Sequence, residues 1–263
     1  MDNFFDISGK TALITGGSRG VGKMIAQAYV ERGVRTYITA RHKDVCEETA
    51  QELSAHGECF AIQNDQGSMD GVHALAGELK EREKSLDILV NNAGTGWHQD
   101  FDEFPEEGWD KTFNLNIKSV FFLTQQLAPL LRAAASPAKP AKVINISSTD
   151  ALWVPDDDAY PYPASKAGLL HLTRKMAHRL VRENIHVNVI SPGAFGSNMN
   201  VMARDYPAEM GKHIPAGRVG DVNDIGGTAV YMASRAGDYL VGVNLTLDGG
   251  CVWATTNSLP AAE

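Results

Sequence analysis

The stretch TALITGGSRGVGKMIA, residues 11–26, decides the fold. It opens as a short apolar run, turns on a glycine cluster and continues with helical periodicity. Gly16, Gly20 and Gly22 stand as TGxxxGxG, which departs from GxGxxG and lacks the GK[ST] ending of a P-loop. Glycine at such a junction permits a tight turn, close approach of backbone N–H groups to a pyrophosphate, and close packing of the helix. Ordinary turns also carry glycine strings. The strand before and the helix after make this one a dinucleotide-binding turn, with Gly16, Ser18, Arg19, Gly20, Val21 and Gly22 as its binding residues.

The same alternation runs along the chain. TALITG (11–16), RTYITA (35–40), CFAIQND (59–65), LDILVNNAG (86–94), KVINIS (142–147), HVNVISPG (186–193) and VNLTLDGG (243–250) all end in turn chemistry. Each is rich in Val, Ile or Leu, as strands buried on both faces are. Between the first two, Val21, Ile25, Ala28 and Tyr29 fall on one helical face, and Gly33 stops the helix. No internal repeat interrupts the pattern, and AAASPAKPAK (133–142) is too short for a domain linker. The expected fold is α/β: a single-domain Rossmann fold over residues 1–263, with a doubly wound, mostly parallel seven-stranded sheet and helices on both faces.

Composition excludes several classes of function. The chain is 43% hydrophobic and 21% charged, ordinary for a globular protein. A net charge of −8 argues against nucleic-acid binding, which draws on surplus Lys and Arg. No apolar run reaches the roughly 18 residues of a membrane span, and MDNFFDISGK lacks the basic and apolar regions of a secretory signal. Cys46, Cys59 and Cys251 show no paired spacing, which fits a reducing cytoplasm and no metal site.

The end of the second strand indicates which dinucleotide. NAD sites commonly place an acid there for the ribose hydroxyls. Here YITARHKD gives neutral Ala40 followed by Arg41, and Arg19 lies within the glycine turn. Two guanidinium groups at one corner suit a 2′-phosphate, so NADP(H) is expected over NAD(H).

TGGSRGVG (15–22), NNAG (91–94), NLNIKS (114–119), INISS (144–148), YPASK (162–166), SPG (191–193) and DGG (248–250) then follow in order. On this ordered set the chain resembles the short-chain dehydrogenase/reductase family, and within it NADPH-dependent β-ketoacyl reductases, including the rhamnolipid-pathway type. The resemblance implies Tyr162 as acid/base, Lys166 as its partner, Ser148 as the carbonyl-orienting hydroxyl and Asn116 in a water-linked proton relay. It places Asp65 by the adenine and Asn92, Ala93 and Gly94 along the cofactor. Pro192, Gly193 and Ala194 would flank the nicotinamide, with Ser197 where the family usually has Thr. It also implies a homotetramer or homodimer.

The chemistry is coherent without the family. Reducing a ketone needs hydride on carbon and a proton on oxygen. Tyrosine's pKa of about 10 is high for a base near neutrality, and a neighbouring lysine ammonium is expected to lower it. Tyr162 and Lys166, at i and i+4, share a helix face. Tyr160 lies six residues from Lys166, off that face, and Pro161 and Pro163 place the helix start near Tyr162. Tyr160 is therefore read as pocket wall.

Trp97, His98, Trp153, Phe195 and Met199 join Tyr160 as candidate substrate contacts. The segment 195–215 stands where a substrate lid is expected, and its Phe195, Met199, Met202 and Met210 could line a pocket or pack a short helix. Asp156, Asp157 and Asp158 read as a solvated loop. The expected function is an NADPH-dependent oxidoreductase interconverting a ketone and a secondary alcohol, on a 3-oxoacyl or related carbonyl substrate. The acidic surface disfavours an acidic acyl carrier. Competing readings are a steroid or sugar alcohol dehydrogenase of the family, a non-catalytic NADP-binding regulator, and a structural subunit.

Overall fold

The computed structural model describes residues 4–254. All seven apolar runs form strands: β1 Thr11–Ile14, β2 Arg35–Ala40, β3 Cys59–Gln63, β4 Ile88–Asn91, β5 Ala141–Ile146, β6 Ile185–Pro192 and β7 Asn244–Leu247. They make one sheet in the order β3-β2-β1-β4-β5-β6-β7, every pair parallel. The helices are α1 Gly20–Val30, α2 Lys43–Leu53, α3 Met69–Arg82, α4 Glu106–Phe113, α5 Ser119–Ala134, α6 Pro161–Leu180, α7 Val201–Asp205, α8 Pro207–Gly211 and α9 Val222–Ala233.

Strand periodicity sorts the core into two layers. Ala12, Ile14, Ile88, Val90, Ile144 and Ile146 pack with α1, α2 and α9, while Leu13, Leu89 and Val143 pack with α3, α5 and α6. Because successive side chains point to opposite faces and both faces are covered, the strands read as unbroken apolar runs. The proline- and alanine-rich patch becomes the turn between α5 and β5, closed by a Ser136–Lys139 bridge.

The strand order reverses between β1 and β4, which opens a crevice beyond their carboxyl ends. The β1–α1 turn, the loop after β4 and the loop after β5 all empty into it. Pro161 opens α6 at a position that needs no N–H, one residue earlier than the sequence suggested. Tyr162 and Lys166 thus both lie within α6 and project toward the crevice. At the far end of the sheet, Lys142 of β5 is 1% exposed and donates to Asp238 at 2.7 Å, tying β5 to the segment after α9. No helix among the described residues is long and apolar enough to cross a membrane.

Candidate active site

The glycine turn adopts a shape that side chains oppose. Gly16 and Gly20 have φ of 63° and 52°. A Cβ on Gly22 would stand 2.4 Å from both the Gly16 carbonyl oxygen and Asn92 Nδ2. Asn92 Nδ2 donates to the carbonyls of Thr15 and Gly16 at 2.9 and 3.1 Å, and Thr15 Oγ1 accepts from the N–H groups of Asn92 and Ala93. These bonds join the β1 turn to the loop after β4 as one wall of a cleft of about 560 Å³.

Arg19, Arg41 and Asp65 line one end of the cleft, and Ser148, Tyr162 and Lys166 line the other, with Asn92, Ala93 and Gly94 between. Neither Arg19 nor Arg41 takes part in an ion pair among the described residues. Ala40 leaves the end of β2 without a carboxylate. A backbone cradle that only glycine permits, together with two unpaired guanidinium groups, fits a dinucleotide carrying an additional phosphate.

At the opposite end, Lys166 is 4% exposed and its Nζ donates to the Ile146 carbonyl at 2.9 Å. The ammonium lies 5.6 Å from the centroid of the Tyr162 ring. The Ser148 hydroxyl stands beside the Tyr162 phenol and favours its charged form. Behind them, residues Asn114–Lys118 wind as a π turn, with the Ser119 N–H bonded to the Asn114 carbonyl. This turn buries Asn116 to 1% exposure. Its carboxamide accepts from the Thr95 N–H and donates to the Thr95 carbonyl and to Ser165 Oγ, each at 2.9 Å. Asn116 thereby clamps the loop after β4 to α6. Its side chain has no donor left for a proton relay.

The protein's own groups act against the lowering of the Tyr162 pKa expected from lysine together with a nicotinamide ring. Burial first, and then the charge of Asp150, push the phenol up to about 12, against a smaller opposing effect of the Ser148 hydrogen bond. Burial also pushes Lys166 down to about 8, with Asp150 opposing. Near neutrality the protein therefore presents a phenol beside an ammonium, not a phenolate.

Four expected substrate contacts lie elsewhere. Trp97 is seated on α4, where a Cβ on Gly108 would be 2.6 Å from its ring, and Lys111 lies over the indole. Tyr160 is held edge-on by Phe101 and Phe104 at 5.5 and 5.6 Å, and its hydroxyl donates to Asp158 at 2.7 Å. Phe195 is buried against Gly220. The Trp153 ring is exposed outside the cleft lining, beside Asp150. His98 and Met199 do line the cleft. Among the cofactor candidates, Pro192 and Ser197 also line it, whereas Gly193 and Ala194 continue the backbone ladder with Leu247 and Gly220. Gly22 acts through turn geometry instead.

Two carboxylates of the cleft lie outside the expected site residues. Asp150 follows Ser148 by two positions, and its backbone N–H donates to Ser148 Oγ at 3.1 Å. Asp157, read as solvated, lines the cleft and lies 3.8 Å from His98 Nε2. Position +2 from Ser148 in a tight turn was the available signal. Among the described residues, no three His, Cys, Asp or Glu side chains are grouped to hold a metal ion.

Comparison with known proteins gives four likenesses to one family. A family model described as short chain dehydrogenase matches residues 10–207. The chain is 45% identical to the rhamnolipids biosynthesis 3-oxoacyl-[acyl-carrier-protein] reductase of Pseudomonas aeruginosa, over 95% of this chain and 99% of that protein. It is 37% identical to the 2-dehydro-3-deoxy-D-gluconate 5-dehydrogenase of Dickeya dadantii, over 94% and 97% of the two chains. The fold superposes on the Pseudomonas aeruginosa RhlG/NADP active-site complex with a TM-score of 0.91 at 45% identity, covering 96% of this chain and 100% of that one.

Proposed function

The chain belongs to the short-chain dehydrogenase family, and from that premise we propose that it is an NADP(H)-dependent oxidoreductase interconverting a ketone and a secondary alcohol. The observation that carries this reading is one continuous cleft: it joins the Arg19 and Arg41 corner, through the glycine cradle, to Ser148, Tyr162 and Lys166. The similar complex holds NADP, and the unpaired arginines suit the phosphate that distinguishes NADP from NAD.

Ser148, Tyr162, Lys166 and Asn116 form the catalytic set. The substrate carbonyl oxygen lies between the Ser148 hydroxyl and the Tyr162 phenol, which hold it for reaction. A bound cofactor would supply the hydride, held by the glycine turn, Arg19, Arg41 and the loop after β4. A pKa near 12 keeps Tyr162 protonated at neutral pH and thus ready to donate as the substrate oxygen becomes an alkoxide. Lys166, with a pKa near 8, is still charged at pH 7 and stabilises the phenolate that remains. Ser148 donates to the same oxygen. Asn116 acts by holding the loop after β4, and any relay contact falls to its backbone carbonyl. Residues 195–215 serve as a lid, because Ser197 lies over the cradle, 3.0 Å from where a Gly20 Cβ would stand.

The similar rhamnolipid-pathway reductase suggests a 3-oxoacyl or related carbonyl substrate. The acidic surface favours a free or low-molecular-weight form over one carried on an acidic protein. The enzyme is read as a cytoplasmic homotetramer or homodimer. Supporting an interface, the edge strand β7 is half-buried throughout, and Tyr239, Val241 and Trp253 leave apolar surface uncovered nearby. NADPH and NADH oxidation measured in parallel over a panel of ketones tests the proposal. Turnover with NADPH preferred is expected; preference for NADH would overturn the arginine argument.

A further inference from the structure

Asp150 is a carboxylate inside the reaction cleft that the proton chemistry does not use. It shares the wall formed by Ser148, Tyr162 and Lys166. Its N–H donates to Ser148 Oγ at 3.1 Å, and Trp153 and Ser148 are the two donor side chains near its carboxyl. A carboxylate offers about four acceptor sites, so two donors leave capacity facing the cleft. A second carboxylate, Asp157, lines the same half, with His98 at 3.8 Å. Arg19 and Arg41 lie at the other end, and Lys166 is committed to Ile146 and faces Tyr162.

Any substrate placed against Ser148 and Tyr162 displaces the water around Asp150. An apolar or acceptor-only substituent leaves the carboxylate short of partners, and a substrate carboxylate adds like-charge repulsion. A hydroxyl or ammonium supplies the missing donor. Resting on the reductase reading above, we propose that Asp150 is a specificity-determining residue. It selects carbonyl substrates that carry a hydrogen-bond donor beside the reacting carbonyl and turns away those that carry a carboxylate there.

A matched set of phenyl ketones tests this: acetophenone, α-hydroxyacetophenone, α-aminoacetophenone and benzoylformate. Each is assayed with NADPH on the wild type, Asp150→Asn and Asp150→Ala. The intrinsic reactivities of the ketones cancel when each compound's kcat/KM is divided by that for acetophenone and compared across variants. Losing a hydrogen bond to a charged group corresponds to about tenfold or more. The α-hydroxy and α-amino ratios should fall by about that factor in Asp150→Ala, while the benzoylformate ratio rises. The near-isosteric Asp150→Asn should show the same directions even if the alanine variant folds poorly.

Calorimetry of 1-phenyl-1,2-ethanediol, 1-phenylethanol and mandelate binding to each protein with NADP⁺ reads the selectivity without turnover. Unchanged ratios together with the same binding order in all three proteins would overturn the Asp150 inference and leave the reductase reading intact. A diol preference that Asp150→Ala abolishes supports the inference. If it came with no NADPH oxidation by the wild type, it would refute the reductase reading alone.

Discussion

Lys166→Met removes a buried ammonium while keeping a side chain of similar length, and its effect on stability should depend on pH. Burial lowers the lysine from its ordinary 10.5 to about 8 in the folded protein. Between those values the unfolded chain binds more protons than the folded one, so wild-type stability rises with pH across the window. Below pH 8 the folded protein bears the full cost of the buried charge, and above 10.5 it bears none. Integrated from pH 7 to pH 10, the gain is about 2–3 kcal/mol. The variant lacks this group and so lacks this gain. It also loses the bond to the Ile146 carbonyl, a cost of about 1–3 kcal/mol that does not vary with pH. Urea unfolding at pH 7, 8, 9 and 10 therefore tests the slope of the wild-type-minus-variant difference, not its offset. The difference should move by about 2–3 kcal/mol in favour of the wild type as pH rises. Parallel stability curves would refute the argument that burial governs Lys166.

Three further perturbations address other parts of the cleft. Gly22→Ala pushes a methyl group to 2.4 Å from the Gly16 carbonyl and Asn92. It should destabilise the protein by about 1–3 kcal/mol and weaken NADPH binding, as read by thermal unfolding and cofactor fluorescence. Arg19→Ala with Arg41→Ala should reduce the NADPH-over-NADH preference in kcat/KM by about 10- to 100-fold; an unchanged preference would contradict phosphate recognition there. Asp150→Asn removes a charge that raises the Tyr162 pKa, so the base-dependent limb of alcohol oxidation should shift to lower pH. A shift to higher pH would contradict that electrostatic coupling.

Local chemistry made much of the fold legible. The strands covered by helices on both faces appear as apolar runs, and Gly16, Gly20 and Gly22 mark a turn where a side chain would strain or clash. The pairing of Tyr162 with Lys166 follows from helical spacing alone. What sequence missed depends on partners far along the chain. Asn116 is positioned by Thr95 and Ser165, 21 and 49 residues away, through a π turn that no periodicity marks. Trp97 turns from the cleft because Gly108 leaves a seat for its ring, and Tyr160 because Phe101 and Phe104 capture it. Asp150 was overshadowed by the conspicuous run of aspartates a few residues later, of which Asp157 alone lines the cleft.

The central claim concerns one phenol of two, and replacing each separately tests it most directly. Tyr162→Phe deletes the hydroxyl beside Ser148 and Lys166, whereas Tyr160→Phe deletes one bonded to Asp158 at the loop surface. With a ketone that the wild type reduces, NADPH oxidation should be abolished in Tyr162→Phe while NADPH binding stays near normal. Tyr160→Phe should retain substantial activity. Loss of turnover in Tyr160→Phe with activity preserved in Tyr162→Phe would contradict the account.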